Sequence, residues 1–120
     1  MRILFIDDSE DIINCIGPCF ESQGHQVTTA HGAHAGIREM KDGQFDMIVC
    51  DREMPDFSGL HLAQLRNDLG LKTPFILFTG KPDLSQREID ELNIMAVYDK
   101  HEVPQMLDDL SQLESRGLTG

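Results

Sequence analysis

Three short runs of uninterrupted apolar residues constrain the fold of this chain more than anything else in it. They are Ile3-Leu4-Phe5-Ile6, Met47-Ile48-Val49-Cys50 and Phe75-Ile76-Leu77-Phe78. Each is too short for a buried helix. Each also lacks the apolar–polar alternation of a strand that faces water on one side. Such runs belong to strands covered on both faces. Gln26-Val27-Thr28-Thr29-Ala30 and Met95-Ala96-Val97-Tyr98 are weaker versions, the pattern of edge strands. Between the runs lie stretches with helical spacing. Ile12, Ile13, Ile16, Cys19 and Phe20 define one apolar face, and Leu60, Leu62, Ala63, Leu65 and Leu69 a second. Val103, Met106, Leu107, Leu110 and Leu113 define a third. Strand followed by helix, five times over, implies an α/β fold: a doubly wound parallel sheet with helices on both faces.

Boundary signals agree. Asp8-Ser9 is placed to cap the first helix, and Ser85-Gln86-Arg87-Glu88 has the form of a capping box. Pro104 suits the first turn of the last helix. Gly17-Pro18 runs against the pattern. Proline inside the first helix removes a backbone donor, and a kink is expected there.

The length of 120 residues fits a single domain, residues 1–120, with a core to about residue 113 and a tail or the start of a linker over 114–120. Three cysteines cannot all pair, and the start Met1-Arg2-Ile3-Leu4-Phe5-Ile6 lacks the length of a signal sequence. Reduced thiols and a cytoplasmic location are the expectation. Cys15 and Cys19 are expected to face the sheet and Cys50 to lie in the core. Met40, Met47, Met95 and Met106 read as packing residues. No apolar run approaches the ~20 residues of a membrane span. Ten basic against 21 acidic residues give a net charge of −11. That balance disfavours nucleic acid and anionic lipid, and favours cations or a partner with a basic face.

In a doubly wound sheet, sites form at the carboxyl ends of the strands. Those ends carry Asp7-Asp8, Asp51, Thr79 and Lys100 on the first, third, fourth and fifth strands. Converging carboxylates repel one another and need a counter-ion. Hard oxygen ligands with room for water suit Mg²⁺. Lys100 adds a fixed positive charge and Thr79 a hydroxyl donor. These are parts of a phosphoryl-transfer site in which a carboxylate is the nucleophile and an acyl phosphate the product. His31 and His34, without cysteine or carboxylate neighbours in sequence, read as surface residues.

The chain resembles the receiver domains of bacterial two-component response regulators over roughly Met1 to Leu113. Phe5-Ile6-Asp7-Asp8-Ser9 resembles the family's acidic pair, and Asp51-Arg52-Glu53-Met54-Pro55 with Gly59 its phosphorylation loop. Thr73-Pro74-Phe75-Ile76-Leu77-Phe78-Thr79-Gly80 resembles the switch strand, and Tyr98-Asp99-Lys100 the lysine end of the fifth strand. The resemblance implies a flavodoxin-like fold with strand order 2-1-3-4-5. It implies that Asp51 accepts the phosphoryl group from a histidine kinase or histidine phosphotransfer protein. Asp8 and Asp51 would bind Mg²⁺ directly, Asp7 mostly through water, and the main-chain carbonyl of Glu53 would complete the protein ligands. Thr79 would contact the phosphoryl group and move with it, and Lys100 would pair with one of its oxygens. The implied output is a changed surface of the fourth helix, fifth strand and fifth helix.

Several positions depart from the family or modify it. His101 follows Lys100 where the family has a proline in a cis peptide, so either a trans bond with a rearranged loop or a retained cis bond is expected. Val97 stands where the family has its switch aromatic, and alternation sends Tyr98 to the opposite face, where it reads as a core aromatic. Glu53 and Lys81 flank the expected phosphoryl position; they either pair across it or lie in solvent. Two other classes compete with the switch. A receiver-like interaction module would act without phosphorylation. A Mg²⁺-dependent hydrolase or transferase would turn over outside substrates, but its aspartate nucleophile would normally sit on the first strand with a second acid two residues on. A flavin carrier lacks its phosphate-cradling loop after the first strand. The expectation is a switch and not a turnover enzyme.

Overall fold

The computed structural model describes residues 1–115. The strands are β1 (Arg2–Asp7), β2 (Gln26–His31), β3 (Met47–Cys50), β4 (Phe75–Thr79) and β5 (Ala96–Asp99). The helices are α1 (Glu10–Ser22), α2 (Ala33–Asp42), α3 (Gly59–Asp68), α4 (Gln86–Glu91) and α5 (Val103–Ser115). The sheet is parallel throughout, in the order β2-β1-β3-β4-β5. The three continuous apolar runs are its three inner strands, and the two weaker runs are its edges.

Period-two alternation divides each inner strand between two cores. Leu4, Ile6, Ile48, Cys50, Phe75 and Leu77 face α2 and α3, where Met40, Leu62 and Ala63 are buried. Ile3, Phe5, Met47, Val49, Ile76 and Phe78 face α1 and α5, where Ile13, Phe20, Met106 and Leu110 are buried. The Phe5 ring meets Phe20 edge-on at 5.4 Å and Phe78 at 6.3 Å. Each such ring, fully buried, contributes on the order of 2–3 kcal/mol over an exposed one. Truncating Phe20 to alanine removes that and leaves a cavity, at a cost of about 3–5 kcal/mol.

Ser9 caps α1 by accepting the N–H of Ile12, and Ser85 and Glu88 form the reciprocal capping box of α4. α1 runs continuously past Pro18, with Ile13, Gly17 and Phe20 inward. Cys15, which was expected to face the sheet, is exposed, and Cys19 is half-buried. At 100° per residue, position 15 lies opposite the 13–17–20 stripe. Met95 is not a packing residue. It is 43 % exposed, because Ile94 takes the inward position and β5 begins one residue later than expected. Leu69 is 42 % exposed at the C-cap of α3, where the chain turns off through Gly70 at φ 74°. The inward stripe of α3 is Gly59, Leu62, Ala63 and Arg66.

Candidate functional site

Sheet register sets the acidic residues side by side. The N–H of Asp51 donates to the Ile6 carbonyl at 2.9 Å, so the residue after β3 lies beside the end of β1. The N–H of Lys100 donates to the Thr79 carbonyl at 3.1 Å, which sets the residue after β5 beside the end of β4. Asp7 and Asp51 are buried, while Asp8 is exposed at the approach to α1. Ligand oxygens of Asp7, Asp8 and Asp51 all lie within 4.8 Å of one another.

Lys100 reaches into this group. Its Nζ stands 3.2 Å from Asp7 Oδ2 and 3.4 Å from Asp51 Oδ1. Asp7 Oδ1 accepts the Ser9 N–H at 2.9 Å, which ties the pair's first acid to the start of α1. Asp7 Oδ2 is buried and its contact with Lys100 lacks hydrogen-bond geometry. Burial and the neighbouring Asp7 charge push the Asp51 carboxyl up to about 6. Lys100 and the Glu53 N–H oppose that shift without cancelling it. One ammonium therefore does not neutralise the cluster. A buried carboxylate oxygen whose one cationic neighbour is shared with Asp51, beside two further acids, fits a small hard cation such as Mg²⁺.

The loop after β3 is held from beneath. The Gly59 N–H donates to the Arg52 carbonyl at 2.7 Å, and Ser58 Oγ donates to the same oxygen at 3.2 Å. A Cβ at Gly59 would fall 2.2 Å from the Asp51 carbonyl oxygen, so only glycine allows α3 to approach so closely. The Glu53 N–H donates to Asp51 Oδ1 at 3.4 Å, and its carboxylate pairs with Lys81 Nζ at 3.4 Å. The two charges expected to flank the site are thus paired. Thr79, 1 % exposed, accepts the Lys81 N–H on Oγ1 at 3.0 Å.

The Lys100–His101 peptide is trans. The His101 N–H donates to Asp99 Oδ1 at 2.9 Å, a bond that proline could not make, and this holds Asp99 below the ordinary carboxylate value. Val97 packs on the α2–α3 side of the sheet and Tyr98 on the α1–α5 side. Tyr98 is half-buried, and its hydroxyl donates to Asp109 of α5 at 2.5 Å. His31 and His34 are exposed; His34 stands 3.7 Å from Asp56.

Two arginines of structural weight were not singled out in the sequence. Arg66, 3 % exposed, donates to the carbonyls of Thr73, Leu92 and Asn93 and so joins α3 to the end of α4. Its signal was present in the spacing, since position 66 continues the stripe of Leu62 and Ala63. Arg52 donates to the Lys81 carbonyl at 2.6 Å and pairs with Asp83 at 3.0 Å, contacts for which no local pattern exists.

Residues 3–109 match the family model described as the response regulator receiver domain. The chain is 32% identical over 80 residues to the response regulator SaeR of Staphylococcus epidermidis, an alignment covering 67% of this chain and 34% of that protein. It is 30% identical over 81 residues to the transcriptional regulatory protein DltR of Streptococcus agalactiae, covering 68% and 36%. The chain thus matches about a third of the length of these curated relatives. Among solved structures, a Francisella response regulator receiver domain superposes with a TM-score of 0.85 at 22% identity, over 97% of this chain and 98% of that one. TrrA of Thermotoga maritima, solved in complex with Mg(2+)-BeF, gives 0.81 at 22% identity, over 93% and 97%. The matched family model, the doubly wound α/β architecture and the acidic residues at the ends of β1 and β3 agree, and the chain belongs to the receiver domains of two-component response regulators.

Proposed function

We propose that this receiver is a phosphoacceptor switch in which Asp51 takes a phosphoryl group from a phosphohistidine of a sensor kinase or histidine phosphotransfer protein. The observation that carries this reading is the convergence of Asp7, Asp8 and Asp51 with Lys100, which leaves the carboxylates short of positive charge. An Asp51 carboxylate oxygen attacks phosphorus, an O–P bond forms, and the P–N bond of the donor breaks. The leaving imidazole takes up a proton. Lys100 would meet a phosphoryl oxygen, and the Thr79 hydroxyl would donate to another. Asp8, Asp51, Asp7 and the Glu53 main-chain carbonyl would hold Mg²⁺, which when bound supplies the charge that offsets both carboxylates and phosphoryl oxygens. TrrA, a receiver of the same fold, was solved with Mg(2+)-BeF.

The Glu53–Lys81 pair joins the loops that follow β3 and β4, and across the phosphoryl position it would slow the entry of water to the acyl phosphate. The output change would pass from Thr79 through residues 80–84 to α4, β5 and α5. With Val97 in place of a swinging ring, it centres on that loop. The chain then turns over no outside substrate beyond its own phosphorylation and dephosphorylation.

Intact-mass measurement after treatment with acetyl phosphate and Mg²⁺ should show one added phosphoryl group, absent in Asp51→Asn. Full labelling of that variant, or labelling in excess EDTA, overturns the reading. An unlabelled parent protein would favour a module that binds its partners without phosphorylation.

A further inference from the structure

The β4–α4 loop is bound to the phosphorylation loop by a continuous chain of hydrogen bonds. Arg52 directly follows the candidate acceptor Asp51. Its backbone is anchored by Ser58 and Gly59 at the start of α3. Its guanidinium, on a side chain 21 % exposed, donates to the Lys81 carbonyl at 2.6 Å and pairs with Asp83 at 3.0 Å. On the other side of Lys81, the N–H donates to Thr79 Oγ1 at 3.0 Å. The Lys81 side chain meets Glu53 at 3.4 Å.

These contacts have a direction. A threonine hydroxyl has one hydrogen to give. Once Oγ1 accepts from Lys81, its own hydrogen is the group left to donate outward. A guanidinium on the Lys81 carbonyl fixes the loop on which that N–H is carried. Charge-assisted bonds of this kind are among the stronger ones. The arginine is thereby connected, through the Lys81 backbone, to a hydroxyl that it does not touch.

We infer that Arg52 is a positioning residue, which through the Lys81 backbone sets Thr79 as the hydrogen-bond donor to the phosphoryl group on Asp51. The inference rests on the phosphoacceptor reading. It adds to it a residue outside the acidic cluster, carried by geometry between two loops that are distant in sequence.

The test is the affinity for beryllofluoride in saturating Mg²⁺, measured by titration calorimetry. It uses the parent protein, Arg52→Met, Arg52→Lys, Thr79→Val and the Arg52→Met/Thr79→Val double variant. Groups in one hydrogen-bond network are coupled, so Arg52→Met should bind about fivefold more weakly. Arg52→Lys, which keeps the charge and one donor, should recover most of the loss. In the Thr79→Val background, Arg52→Met should change nothing further. Undiminished affinity in Arg52→Met overturns the inference. So does an equal loss in the Thr79→Val background, because the arginine would then act by charge or general stability. A parent protein that fails to bind beryllofluoride overturns the phosphoacceptor reading and this inference with it. If Arg52→Met does not fold, Asp83→Asn decides, since its carboxylate is 85 % exposed. That variant should bind about twofold more weakly and exchange the amides of Lys81, residue 83 and Leu84 faster. No change in either overturns the inference.

Discussion

Asp51 carries a charge that its surroundings oppose. Its carboxyl titrates at about 6 in the fold against a reference of 3.8, first because it is buried and next because Asp7 is beside it. For a carboxyl whose folded value is raised, ionisation costs more in the folded than in the unfolded chain. The penalty is absent below about pH 4, grows between the two values, and is complete above about pH 6. About two pH units correspond to at most about 3 kcal/mol. Asp51→Asn should therefore be more stable than the parent at pH 7.5 without divalent cations, and the advantage should vanish near pH 4. Urea midpoints at the two pH values check this. An Asn variant less stable than the parent at pH 7.5 would contradict it. The same imbalance would favour a divalent cation at the site.

Among the elements, α4 is the least secured by packing. It has six residues, Gln86–Glu91, and none is buried. Its N-terminus holds itself by the Ser85–Glu88 capping box, and its C-terminal carbonyls rest on Arg66 and Asn67 of α3. The Arg66 guanidinium is buried among carbonyl and amide oxygens, and burial lowers its pKa. Arg66→Met keeps the length of the side chain but leaves the carbonyls of Thr73, Leu92 and Asn93 without this donor. The expected loss is about 2–4 kcal/mol. Chemical denaturation measures it, and amide exchange should quicken first over residues 86–94. A variant within ~0.5 kcal/mol of the parent would mean that water replaces the guanidinium there. Loose packing with fixed ends would suit an element that shifts in the proposed output change.

At the scale of the whole molecule, a cation held at the acidic site would be linked to the fold by mass action. A cation bound only by the folded chain raises stability by about 2.7 kcal/mol at a hundred times its dissociation constant. Mg²⁺ should raise the melting temperature of the parent by several degrees at millimolar concentration, and Asp8→Ala should abolish most of that gain. An unchanged parent midpoint would count against a folded-state site. The net charge of −11 works in the same direction, since a cation approaching a negative surface is favoured over long range.

The sequence by itself determined the sheet, its edges and which side chains stand at its carboxyl ends. Continuous apolar runs can be satisfied only by strands buried on both faces, and Asp7, Asp8, Asp51, Thr79 and Lys100 follow directly from where those strands end. Alternation also separated Val97 from Tyr98 correctly. Helix faces were legible only in part. Cys15, Leu69 and Met95 are apolar yet exposed, because side-chain direction depends on helix phase and on where an element starts and ends. The trans peptide at Lys100 was settled by the Asp99–His101 turn, which a residue count does not contain. Arg52 meets Lys81 and Asp83 across 29 and 31 residues of chain, and Arg66 meets Leu92 and Asn93 across 26 and 27. Contacts at such separations leave no periodicity for a sequence to display. They exist only once the parallel crossovers have brought β3, α3, β4 and α4 together, and so the tertiary structure alone decided them.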